Sequence, residues 1–142
     1  MRLFLDSSVV LAACGSDIGA SFEVIRLSEG CGWTLVGSPY VESEVLKNLS
    51  DVRAEAHDAW ARIRAKLTMV DDLLTLDQAV VFDSAKDRPI LFSALAWADV
   101  LLTHDHADFA VRLGREFYGL AILTPGMFLT RERAAGRLPA HQ

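Results

Sequence analysis

Four places along the chain carry acidic side chains whose position could serve chemistry: Asp6 after a short apolar run, Glu42 or Glu44 after Ser38-Pro39, Asp87 before Arg88-Pro89, and Asp105 in Thr103-His104-Asp105. Carboxylate oxygens are hard ligands that suit Mg²⁺ or Mn²⁺ rather than zinc, so their convergence would make a divalent-cation site. Each also has a plainer reading. Asp6 in Asp-Ser-Ser and Asp87 before a proline are good helix caps, Asp105 is an ordinary turn residue, and either glutamate could be a solvated surface charge. Asp83 competes with Asp87, and Asp108 lies near Asp105. The two cysteines, Cys14 and Cys31, fall in no CxxC or Cys/His spacing and read as small buried apolar side chains. His104 and His106 flank Asp105 without a further ligand at zinc-binding spacing, and read as exposed turn residues.

Those acids can meet only if the intervening elements bring them together. A strand, Arg2 to Asp6, leads into an apolar helical stretch from Val9 to Cys14 opened by Ser7 and Ser8 and punctuated by Gly15 and Ser16. A helix from about Ile18 to Ser28, with Phe22, Ile25 and Leu27 inward, is broken at Gly30 to Gly32, and Trp33 to Val36 forms a second strand. Ser38-Pro39 starts a helix to about Leu49, since serine caps free N–H groups and proline is pre-set for the first helical position. The spacing of Trp60, Ile63 and Leu67 predicts a helix over Arg53 to Leu67 with Arg62, Arg64 and Lys66 outward. After a mixed stretch with a short strand at Met69-Val70, a helix opens at Asp87 and runs to about Trp97, and Val100 to Thr103 is an apolar strand. Asp105 to Asp108 then read as a polar turn, Phe109 to Phe117 as a helix, and Leu120 to Leu123 as a last strand before Pro125.

Short apolar strands alternating with helices imply βαβ units, a mainly parallel sheet and a three-layer α/β/α sandwich. The hydrophobic share of 51% agrees with strands buried on both faces. At 142 residues the chain suits one domain, expected over 1–136, with 137–142 as a flexible tail. In such sheets ligands bind outside the carboxyl ends of the strands. Asp6 and Asp105 pass that filter. Asp99 does not, because four residues at about 3.3 Å each put it roughly 13 Å from Thr103. On the helix after Ser38, a wheel places Glu42 inside the apolar arc of Val41, Val45 and Leu49 and Glu44 at its border beside Asn48, which leaves the choice between them open.

Taken in order, these motifs resemble the PIN-domain family, which includes the toxin ribonucleases of bacterial toxin–antitoxin pairs. The resemblance covers nearly the whole chain: Leu3-Phe-Leu-Asp6-Ser-Ser-Val-Val-Leu11, then Ser38-Pro-Tyr-Val-Glu-Ser-Glu44, then Asp87-Arg-Pro-Ile-Leu-Phe-Ser-Ala94, and finally Val100-Leu-Leu-Thr103-His-Asp105, the most specific of them. It implies Asp6, Glu44, Asp87 and Asp105 as metal ligands, selects Glu44 over Glu42, and gives supporting places to Thr103, Ser7 and Asp108. Pro89 departs from the typical toxin and leaves the branch open.

The function implied is hydrolysis of single-stranded or looped RNA with Mg²⁺ or Mn²⁺, in a protein that pairs with an antitoxin and forms a homodimer. Lys47, Lys86 and Arg88 are candidates for phosphate contact and equally for solubilising charge. A formal net charge of −5 argues against gripping nucleic acid by bulk electrostatics, an objection that bound cations would reverse locally. An aspartyl-nucleophile phosphatase would need Asp-x-Asp-x-Thr where Asp6-Ser-Ser-Val-Val stands, and a receiver-type signalling domain would need a lysine near 120–124, where there is none. A binding-only PIN fold and a housekeeping RNA-processing nuclease are the remaining rivals. Three apolar residues before Asp6 are too few for a signal-peptide core, and no run nears the roughly 20 of a membrane span, so a cytoplasmic location is expected.

Overall fold

A computed structural model describes residues 1–73, 88–109 and 113–139. Asp87, Asp83 and Lys86 therefore lie outside the described residues, as do the side chains of His106 and Asp108.

The strands are β1 (Arg2–Leu5), β2 (Thr34–Gly37), β3 (Thr68–Met69), β4 (Val100–Leu102), β5 (Arg115–Phe117) and β6 (Leu120–Leu123). They form one sheet in the order β3-β2-β1-β4-β6-β5, parallel except for the β5/β6 pair. Leu3, Phe4, Leu5, Leu35, Val36, Leu101, Leu102 and Ile122 are buried whichever way they face. Only a sheet covered on both sides does this to consecutive residues, which is why the strands read as continuous apolar runs.

The helices are α1 (Ser7–Gly15), α2 (Ala20–Leu27), α3 (Pro39–Asn48), α4 (Ala56–Lys66), α5 (Arg88–Trp97), α6 (His106–Phe109) and α7 (Pro125–Ala134), with a 3₁₀ turn at Leu49–Asp51. Helix α1 packs against α2, α3 and α4, and α2 against α7, while α5 packs on β1 and β4. The chain builds outward from β1 to β3, then crosses back over β1 to place β4 on its other side. Right-handed crossovers then put the helices of the outward path and the helix of the return on opposite faces, giving the α/β/α sandwich. Among the described residues no single helix is long and apolar enough to cross a membrane.

Most elements fall within a residue or two of their sequence-based positions, and Ser38 caps α3 as expected, accepting from Val41 N. Two expectations fail between β4 and β6. The helix predicted over Phe109 to Phe117 does not fill that span, and the polar turn expected over Asp105 to Asp108 is in part helical: α6 covers His106–Phe109, and Arg115–Phe117 is a strand. A two-residue turn, Tyr118 (φ 51°) and Gly119 (φ 84°), folds β5 back antiparallel on β6. Two positive φ values are what a tight hairpin between twisted strands needs, yet tyrosine rarely adopts one, so Tyr-Gly does not announce the turn. Phe109 and Phe117 are both buried, one from a helix and one from a strand, and their eight-residue separation imitates a helical face.

Asp99, excluded from the site by its position, is structural: it holds the start of the sheet by accepting from Arg2 N at 2.8 Å. Cys14 is buried, which pushes its thiol up to about 11 and leaves it neutral. Beyond Gly136, Arg137 turns back to bind Glu132 through two guanidinium hydrogen bonds, and Leu138 packs against the core.

Candidate functional site

Because the strand order reverses direction at β1 and β4, the carboxyl ends of these neighbours form the switch point at which α/β sheets hold ligands. Register brings the residues after them side by side: Leu5 pairs with Leu102, and Asp6 N donates to Leu102 O at 3.0 Å. Asp6 and Thr103 are therefore neighbours by construction of the sheet.

Asp6 occupies the N-cap position of α1, with extended backbone (φ −64°, ψ 153°), but its side chain caps nothing. It is buried, 5% exposed. Its Oδ2 accepts from Ser8 Oγ and from Thr103 Oγ1, both at 2.8 Å, while Oδ1 lies 3.4 Å from Ser7 Oγ. The cap reading therefore describes its backbone alone. Burial holds the Asp6 carboxyl above its ordinary value of 3.8; the hydroxyls of Ser8 and Thr103 pull it back, and the charge of Glu44 raises it again.

Glu44 reaches this point from α3. Ser7 Oγ donates to Glu44 Oε2 at 2.7 Å, so one hydroxyl at the start of α1 touches both carboxylates. The entry of α3 is fixed by its Ser38 cap and by Asp72, whose Oδ2 accepts from Tyr40 N at 2.9 Å and puts a negative charge at the helix N-terminus. Glu42 points elsewhere and forms an ion pair with Arg64 of α4. The two glutamates that the wheel leaves unseparated thus meet different partners: Glu44 meets the hydroxyl of Ser7, and Glu42 meets Arg64, which stays partly exposed on α4.

The turn after β4 supplies the rest. Thr103 is fully buried, and its Oγ1 accepts from Asp105 N at 3.0 Å while donating to Asp6. Ser8 Oγ plays the matching part, accepting from His104 N at 3.0 Å. The backbone N–H groups of His104 and Asp105 are thus each tied to a hydroxyl that holds Asp6. Asp105 itself is half-buried. His104, expected as an exposed turn residue, is half-buried, with Nε2 2.7 Å from Ser21 Oγ. Sequence reasoning treated Ser8 only as a helix opener and passed over Ser21; the run Asp6-Ser7-Ser8 was the available signal for the former, and nothing local marks the latter.

Among the described residues, no three His, Cys, Asp or Glu side chains gather into a set that could hold a metal ion. The pair that does meet fits a hard cation in its chemistry: oxygen donors only, two carboxylates on one hydroxyl, and one of them buried with its charge opposed by its surroundings. Replacing Thr103 tests how far this network supports the fold. Thr103→Val should cost about 1–3 kcal/mol, because it leaves Asp105 N without its acceptor and Asp6 with one hydroxyl fewer. Urea unfolding reads this loss, and Thr103→Ser, which keeps the oxygen, should recover most of it.

No family model matches the sequence, and no curated protein matches it. Among solved structures, a chain in the crystal structure of VapBC2 from Rickettsia felis bound to a DNA fragment from their promoter aligns with a TM-score of 0.62. The alignment covers 86% of this chain and 97% of that one, at 16% identity. The likeness is one of fold, and the fold is the PIN-like α/β/α sandwich that the sequence motifs implied.

Proposed function

We propose that this chain is a metal-dependent endoribonuclease, the toxin of a toxin–antitoxin pair, with Asp6, Glu44, Asp87 and Asp105 as ligands of Mg²⁺ or Mn²⁺. The observation that carries the reading is Asp6: a buried carboxylate in a cap position that caps nothing, placed at the switch point and joined to Glu44 through Ser7. The resemblance of the motifs to PIN toxins, and a fold shared with a chain of VapBC2, support the same reading.

A bound divalent cation supplies Lewis acidity toward a phosphate and lowers the pKa of water at the site. The chain's own part is to hold and orient. Thr103 and Ser8 fix Asp6 Oδ2, and Ser7 fixes Glu44 Oε2. Glu44 is the proposed base, taking the proton of the attacking water at its remaining carboxylate oxygen. Thr103, Ser7 and Asp108 are the supporting residues. Arg88 and Lys47, both exposed, are the candidates for phosphate contact. Unpaired RNA is the proposed substrate because its bases and backbone are open to a small site. A cognate antitoxin and a second copy of the chain are the proposed partners.

Cleavage of a labelled single-stranded RNA by the purified chain, with Mn²⁺ or Mg²⁺ and with EDTA, tests the function. Metal-dependent cleavage supports the enzyme; no cleavage of any RNA tried, together with no Mn²⁺ binding, leaves a binding module on a PIN-like fold.

A further inference from the structure

Helix α2 lies outside the sheet edge that carries the acids, yet one of its side chains reaches the turn after β4. Ser21, in its first turn, is buried at 5% exposure, and its hydroxyl lies 2.7 Å from His104 Nε2, a hydrogen bond in either tautomer. His104 stands between Thr103 and Asp105, and its own N–H donates to Ser8 Oγ, which in turn donates to Asp6 Oδ2. Three consecutive hydrogen bonds of 2.7, 3.0 and 2.8 Å therefore connect α2 to the buried carboxylate. A residue at the tip of a polar turn needs no buried partner to be stable in water, and turns drift unless something ties them down. Here the tie is specific: a buried hydroxyl must find a partner, and it finds the one side chain that lies between two site residues.

We propose that Ser21 and His104 are positioning residues for the divalent-cation site: their side-chain bond anchors the Thr103–Asp105 turn to α2 and sets where Asp105 stands relative to Asp6. This rests on the reading of Asp6 and Asp105 as cation ligands. The ring does not touch the cation. It acts as outer partners of metal ligands do, by fixing the orientation of the groups that bind.

The test is titration calorimetry of Mn²⁺ into the full chain, with thermal unfolding in EDTA run alongside, for wild type, Asp6→Asn, Ser21→Ala, His104→Leu, His104→Gln and the Ser21→Ala/His104→Leu double variant. Ser21→Ala and His104→Leu should each weaken Mn²⁺ binding about tenfold, and His104→Gln, whose amide can still meet Ser21, should stay within about threefold of wild type. The double variant should be no weaker than either single one, because both remove the same bond. If the singles lower the unfolding temperature but bind Mn²⁺ as wild type does, while Asp6→Asn does not bind, the positioning role is overturned and the cation site stands. If wild type itself binds no Mn²⁺, the cation reading falls and takes this proposal with it.

Discussion

Asp6→Asn is expected to lower metal-dependent RNA cleavage by about a thousandfold and to abolish Mn²⁺ binding, while leaving the metal-free protein as stable as wild type or more so. The two effects have one cause. Asp6 is buried beside Glu44, and its surroundings oppose its charge, so the ionised form costs stability that the proposed cation would return. Asparagine keeps an oxygen for the hydroxyls of Ser8 and Thr103 and removes the charge. A mere N-cap would behave in the opposite way, but the Asp6 side chain makes no cap bond to lose.

The same shift gives the pH dependence a sign. The folded-state pKa of Asp6 lies above its ordinary value of 3.8, so across the interval between them the native state holds more protons than the unfolded chain, and stability falls as pH rises. Above the folded value both states are ionised and the loss is complete. Urea unfolding in EDTA should therefore show wild type losing stability relative to Asp6→Asn as pH climbs from 3.8, with the gap constant once Asp6 is fully ionised. Saturating Mn²⁺ should reverse the ranking, since it binds the folded wild type alone. Equal stability at every pH, with equal cleavage by both proteins, would remove Asp6 from the site.

Where the sequence was informative, the signal was local and physical. Asp6 could be placed because an apolar strand must end somewhere, and the carboxyl end of a parallel strand is where ligands bind. Ser38-Pro39 could be placed because capping chemistry depends on two adjacent residues. Asp105 follows from the same strand-end logic, and the resemblance adds Thr103. What escaped notice was set by distant neighbours. Tyr118-Gly119 makes a hairpin because β6 is there to receive β5, and no property of that dipeptide says so. His104 looked like a surface residue because its partner, Ser21, is 83 positions away. The helical wheel failed to separate Glu42 from Glu44 for a related reason: it describes direction about one axis and is blind to which helix stands on each side.

That separation is the second large expected effect. Glu44→Gln should reduce cleavage by about a hundredfold or more, the usual loss when a positioned acid–base group is neutralised, with the fold intact because glutamine still accepts from Ser7. Glu42→Gln should leave cleavage within about twofold of wild type and cost less than about 1 kcal/mol, since the Arg64 pair it breaks is partly open to solvent and screened. The two residues are two positions apart on one helix and chemically identical, so differences of helix propensity, net charge and expression cancel between the variants. What remains is direction: Glu44 faces Ser7 and Asp6 across α1, and Glu42 faces Arg64 on α4. Single-turnover cleavage assays on both variants, with urea unfolding as the control, read that difference. Loss of activity in Glu42→Gln with retention in Glu44→Gln would mean that α3 presents its other face to the substrate, and the site would have to be rebuilt around Arg64 rather than Ser7.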